Sequence, residues 1–126
     1  MSVKVIHTDE APAAVGPYSQ AIQYTGLMFT SGQLPLDPDS GKIVEGDIAE
    51  QAHRVFKNLE AIARSGGTTL SKALKTTVFL NDIGDFQAVN EVYKHYFDQP
   101  FPARSAYQVA ALPLGAAIEV EAIFAV

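Results

Sequence analysis

The sequence predicts an α/β fold of the α+β kind. We read a two-layer sandwich in which two helices cover one face of a six-stranded mixed sheet, in the order β-β-β-α-β-α-β-β. Three observations lead there. About six segments have strand-like composition or two-residue alternation and are bounded by glycine and proline turns. Only two segments place apolar residues at helical spacing. The last segment puts Ile118, Val120, Ala122, Phe124 and Val126 on one face, yet Ile123 and Ala125 on the other. Two helices shield one side of such a sheet, so the second apolar side predicts a closed oligomer.

The elements follow in order. Val3 to His7 reads as a short first strand. Gly16-Pro17 marks a turn, and Ala21–Tyr24 and Leu27–Leu34 flank Thr25-Gly26 as a hairpin. LDPDSGK is a second turn. Asp47 stands before Ile48 with Glu50 three residues on, an N-cap followed by a capping-box acid. Ile48, Ala52, Val55, Leu59 and Ile62 then recur at helical spacing until Gly66-Gly67, where glycine suits a left-handed C-cap. Ala73 to Leu80 is a strand. Asp85 caps a second helix with Phe86, Val89, Tyr93 and Phe97 inward, stopped by Pro100 and Pro102. Ala103–Leu112 and Ala116–Val126 are the last strands, turned at Pro113-Leu114-Gly115 and therefore antiparallel neighbours.

The 126 residues read as one domain over 1–126, with no repeat or linker. Hydrophobic content of 48% against 18% charged residues makes the chain globular rather than disordered. A net charge of -5 argues against a nucleic-acid binder, which needs a lysine and arginine surface. The chain has no cysteine, which removes disulfides, thiolate metal sites and cysteine nucleophiles. His7, His53 and His95 are scattered without ligand spacing, so no metal site is expected. No secretory leader or membrane-length apolar run is visible, and a reducing, cytoplasmic location is expected.

Arg104 is the residue that first points to chemistry. Between Pro100 and Val126 the only charges are Arg104, Glu119 and Glu121. Arg104 is either a salt-bridged or snorkelling edge residue, or an anion clamp whose rigid fork matches a carboxylate. Glu119 and Glu121 share a strand face. They form a solvated surface, or one of them sits in a cleft and handles a water proton. Paired across a tight turn, Arg104 and Glu119 would stand about five residues out of register, roughly 17 Å. They would not meet within one chain, and a site using both would lie between subunits. Tyr18 on a loop, Ser31 before Gly32, and Asn90 beside the second helix's apolar stripe are further polar candidates. No phosphate-binding loop, dinucleotide fingerprint or serine-histidine-acid pattern is present.

Four blocks carry a resemblance: APAAVGPYSQAI, FTSGQLPLDPDSGKIV, KTTVFLNDIGDFQAVNEVY and FPARSAYQVAALPLGAAIEVEAI. In this order, without large gaps and over essentially the whole chain, they resemble the Rid (YjgF) family, the reactive intermediate deaminases. The resemblance implies a chorismate-mutase-like sandwich in a homotrimer, with sheets forming an inner barrel, helices outside and three clefts between subunits. It implies cofactor-free hydrolysis of 2-imino acids, such as 2-iminobutanoate and 2-iminopropanoate, to 2-oxo acids and ammonia. These imines derive from enamines released by pyridoxal-phosphate-dependent dehydratases. By motif, Arg104 of PARS matches the carboxylate-gripping arginine, and Glu119, first acid of IEVEA, the residue that positions or activates water. Tyr18 of GPYSQ, Ser31 of TSGQ and Asn90 of AVN match pocket positions. Many members have cysteine two residues after the arginine. Ala106 stands there instead, so only its main chain is left to contact the substrate.

Two other function classes compete. A non-catalytic module for small carboxylates would use the same arginine but have no turnover to lose on Glu119→Ala. An RNA-acting translation inhibitor or endoribonuclease conflicts with the acidic composition.

Overall fold

The computed structural model describes residues 2–126. Its strands are β1 (Lys4–Ile6), β2 (Ala21–Tyr24), β3 (Leu27–Thr30), β4 (Ala73–Leu80), β5 (Ala103–Gln108) and β6 (Ile118–Ala125). The helices are α1 (Ile48–Ser65), between β3 and β4, and α2 (Phe86–Tyr93), between β4 and β5. The order is the expected one. One sheet contains all six strands in the sequence β1-β2-β3-β6-β4-β5, and only the β4–β5 pair is parallel.

The last two strands are not a hairpin, contrary to the sequence expectation. β4, α2 and β5 form a strand-helix-strand unit, which returns β5 parallel to β4 on the sheet's edge. The connection after β5 then passes around the end of β4. Val109 N–H donates to Leu80 O, and Asn81 N–H donates to Ala117 O. This carries β6 into the gap between β4 and β3. Burial explains the choice. Ile118, Val120 and Phe124 are fully buried, whereas most of ARSAYQ is exposed, so β6 belongs in the centre and β5 at the edge.

The local signals mostly act as read. Asp47 caps α1 by accepting from Glu50 N–H at 3.0 Å. Thr25 (φ 47°) and Gly26 (φ 85°) both lie on the positive side, as a type I′ hairpin turn requires. Several boundaries shift, and β5 ends at Gln108 and β6 begins at Ile118, each inside the expected span. Strand β3 stops at Thr30, and Gln33 makes a separate bridge to Val120. Asp85 makes no cap; Asp82 does, accepting from Gly84 N–H at 2.8 Å to start a short turn that leads into α2. That helix ends at Tyr93, well before the prolines, although Phe97 stays buried and stacks on Tyr93 at 4.4 Å. At the end of α1 the left-handed residue is Gly67 (φ 80°), not Gly66. A side chain at Gly66 would instead run into the Met28 sulfur.

The core lies between the helices and one sheet face. Val55, Phe56, Leu59 and Ile62 of α1 pack with Met28, Val78, Leu80 and the buried side of β6. The other sheet face stays open. Val5, Ile22, Phe29 and Ile123 form one row across it, and Val5 and Phe29 are exposed. The apolar character on both faces is therefore real.

One buried polar residue ties the core to the loops. Asn58 sits inside the α1 stripe and donates to Leu34 O and Leu36 O, while its own oxygen accepts from Arg54 Nε. Asn58→Ala leaves Leu36 O without its donor and Leu34 O with the Leu36 N–H alone. We expect a loss of about 2–3 kcal/mol, read as a lower denaturant midpoint at unchanged slope.

Candidate functional site

Arg104 leaves edge strand β5 on the helix side of the sheet, level with Thr76. Phe86, Asn90 and Tyr93 meet it from α2, where their i, i+4, i+7 spacing puts them on one face. Nη1 donates to Asn90 Oδ1 at 2.8 Å. The guanidinium carbon lies 5.1 Å from the Phe86 ring centre and 4.9 Å from that of Tyr93, within cation–π range. Tyr93 is itself held by a 2.8 Å hydrogen bond between its hydroxyl and Thr76 Oγ1, and burial raises its phenol pKa. Among the described residues no carboxylate pairs with Arg104, so the salt-bridge reading falls. One acceptor holds the fork in place at the wall of a cleft of about 570 Å³, shared with Gln87, Asn90, Lys94 and Phe101.

Glu119 belongs to a different cleft. It points from β6 to the open sheet face, in the row of Phe79 and Tyr107. There it lines a cleft of about 840 Å³ with Tyr18, Ser31 and the turn residues Pro113 and Leu114. Gly32 explains how the carboxylate fits. A Cβ at that position would stand 2.5 Å from Glu119 Oε2 and 2.9 Å from its carboxyl carbon. Partial burial raises the Glu119 pKa, and the Glu121 charge on the same face adds to the effect. Of the two acids Glu119 is the half-buried one, and Glu121 is exposed.

The loops around Glu119 are fixed by side chains. Ser31 Oγ donates to Ser19 O at 2.6 Å, which fastens the segment carrying Tyr18. The Tyr18 ring is exposed, and its hydroxyl accepts from Val15 N–H at 3.4 Å. Gln20, buried, takes Thr8 N–H at 2.7 Å and donates to the carbonyls of Thr8 and Pro12. Asp37 accepts from the N–H groups of Asp39 and Ser40, which lowers its pKa and shapes the turn at the far wall. Gln20 and Asn58 escaped the sequence reading. For Asn58 the available signal was a polar residue inside a helix's apolar stripe; Gln20 carried none.

The structure brings Asn90 to Arg104, and Tyr18 and Ser31 to Glu119, but it does not bring the two groups together. Arg104 is level with Thr76 and through it with Ala122, three residues along β6 from Glu119. The two side chains also leave opposite sheet faces. Ala106 joins neither cleft. Its methyl packs against the core beside Val78, although β5, as the outer strand, has no neighbour beyond it in the sheet. Among the described residues no group of three or more potential ligands could hold a metal, and no helix is long and apolar enough to cross a membrane.

A family profile described as Endoribonuclease L-PSP matches residues 8–126. A crystal structure of a conserved Rid-family protein from Yersinia pestis matches with a TM-score of 0.96 at 47% identity, covering 99% of this chain and 100% of that one. The chain belongs to the Rid family. Among other Rid relatives, a mouse protein named 2-iminobutanoate/2-iminopropanoate deaminase is 52% identical over 120 residues, 95% of this chain and 89% of its own. Escherichia coli TdcF, solved with bound serine, matches with a TM-score of 0.92 at 41% identity, covering 98% of both chains. The six-stranded mixed sheet with two helices is thus the Rid fold.

Proposed function

We propose that this chain hydrolyses 2-imino acids to 2-oxo acids and ammonia, at clefts completed between copies of a homotrimer. One observation carries the reading. A single chain holds Arg104 with no carboxylate paired to it, in a cleft whose one acid, Glu91, is paired with Lys94, and holds Glu119 in a cleft that has no cation, on opposite faces of one sheet. A second copy placed on the open apolar face would bring its own half to complete the site. The relatives' names support a small amino-acid-like substrate. The net charge of -5 speaks against the nucleic-acid substrate that the profile's description implies.

The chemistry follows from the side chains. Arg104 receives the substrate carboxylate with two parallel hydrogen bonds and fixes the C=N carbon in place. Outward main-chain groups at Ala106 contact the imine nitrogen. Glu119 of the neighbouring copy takes a proton from water as its oxygen bonds to the imine carbon, giving a carbinolamine. Glu119 hands that proton to nitrogen, the hydroxyl gives up its own proton to Glu119 as the C–N bond breaks and the C=O forms, and ammonia leaves behind the 2-oxo acid. A carboxylate pKa raised by burial brings the base nearer neutrality, where proton transfer in both directions is efficient. Tyr18, Ser31 and Asn90 shape and support the pocket.

The test couples the protein to a threonine dehydratase and follows 2-oxobutanoate. Wild type should accelerate its appearance; no acceleration sinks the proposal. Arg104→Ala and Glu119→Gln chains, each inactive, are then mixed by dissociation and reassembly. Random mixing leaves both residues intact at about a quarter of the interfaces, so activity should return towards that level. A site contained within one chain would recover none.

Gly32→Ala probes the seat of Glu119. The three atoms nearest the added methyl all belong to the flexible Glu119 side chain, so stability should change by less than about 1 kcal/mol. Displacing the carboxylate should cost about 10²-fold in kcat. Unchanged kcat would mean that this seat is not used.

A further inference from the structure

Leucine is an unusual residue for a left-handed position. Leu114 has φ 59° and ψ 18°, and Gly115 follows at φ 71°. Asparagine or glycine would take this conformation more easily. Within its own chain the conformation gains no packing in return, since Leu114 is 70% exposed there. Nor does the turn need this side chain. Ala116 N–H donates to Pro113 O through the main chain alone. What the position does supply is an apolar group on the wall of the cleft that holds Glu119. Pro12, Val15, Leu34 and Leu36 line the same cleft, so its wall offers a largely apolar surface beyond the reach of a three- or four-carbon acid. A strained residue that presents an exposed apolar side chain beside a candidate base is better explained by a ligand than by folding.

We infer that Leu114 is a specificity-determining residue: it contacts the side chain of the bound imino acid and favours apolar substrates longer than 2-iminobutanoate. This rests on the deaminase reading above. Two variants separate the side chain's chemistry from the backbone. Leu114→Asn keeps nearly the same shape, suits the left-handed region and replaces an apolar surface by a polar one. Leu114→Gly removes the side chain altogether. Both relieve strain, so both should fold, with a melting temperature at or above that of wild type.

The experiment measures kcat and KM on two imines generated in situ. One is 2-iminobutanoate from a threonine dehydratase, the other the imine of leucine from an amino-acid oxidase. In both variants KM for the leucine imine should rise about 10-fold, while kcat/KM for 2-iminobutanoate stays within about twofold. Parallel changes on both substrates, or none on either, would overturn the inference. So would a variant whose mass by light scattering falls below wild type, because Leu114 would then be a subunit contact. Wild type inert towards both imines would instead remove the deaminase reading itself.

Discussion

Arg104→Ala should lower kcat/KM for 2-iminobutanoate hydrolysis by about 10³-fold, while the protein still folds. The size follows from what is lost. In the proposed inter-subunit cleft the substrate carboxylate has left water, and without the guanidinium the one cation left there, Lys94, is already paired with Glu91. Arg104→Lys keeps the charge but loses the planar fork, so about 10–10²-fold is expected instead. The fold should survive because Arg104 is exposed, its polar partner is Asn90, and the two ring contacts contribute only about 0.5–1 kcal/mol each. Tyr93 keeps its bond to Thr76 in either variant. If Arg104→Ala accelerates oxo-acid formation as well as wild type, Arg104 does not hold the substrate.

Local chemistry was legible in the sequence; long-range pairing was not. Asp47, Thr25-Gly26 and the apolar stripe of α1 act within a few residues, and each appears where the pattern put it. Pro113-Leu114-Gly115 is also a turn, but a turn says only that the chain changes direction, not which strand it pairs with next. The decisive clue lay elsewhere. A helix between β4 and β5 forces a parallel return, and the apolar residues on both sides of IEVEAIFA mark a central strand. The separation of Arg104 from Glu119 was expected from a hairpin offset, whereas it arises from opposite sheet faces. Asn58 and Gln20 stayed hidden for a different reason. Their role is to satisfy carbonyls of distant loops, and only the folded chain shows which loops arrive.

Glu119→Gln should cost about 10²–10⁴-fold in kcat and at the same time stabilise the protein at neutral pH. Both effects come from one cause. Burial, with the Glu121 charge nearby, raises the Glu119 pKa above that of the unfolded chain. The folded state therefore holds the proton more tightly than the unfolded state. As pH rises from the unfolded pKa through the folded one, folding loses stability, and above both values the ionised carboxylate is a standing cost. Glutamine carries no charge and removes that cost. The stability gain of Glu119→Gln over wild type should vanish in acid, where both side chains are neutral, grow through the carboxylate range and level off near neutrality. Wild-type activity should rise over the same range, since the ionised form is the base that the reaction uses. The acid limb of kcat against pH in wild type should then track the same titration as the stability difference, and that limb should be missing in the residual activity of Glu119→Gln. A glutamine variant with full kcat would show that the carboxylate beside Gly32 is not the base, and one with no gain in stability at neutral pH would show that burial does not strain it.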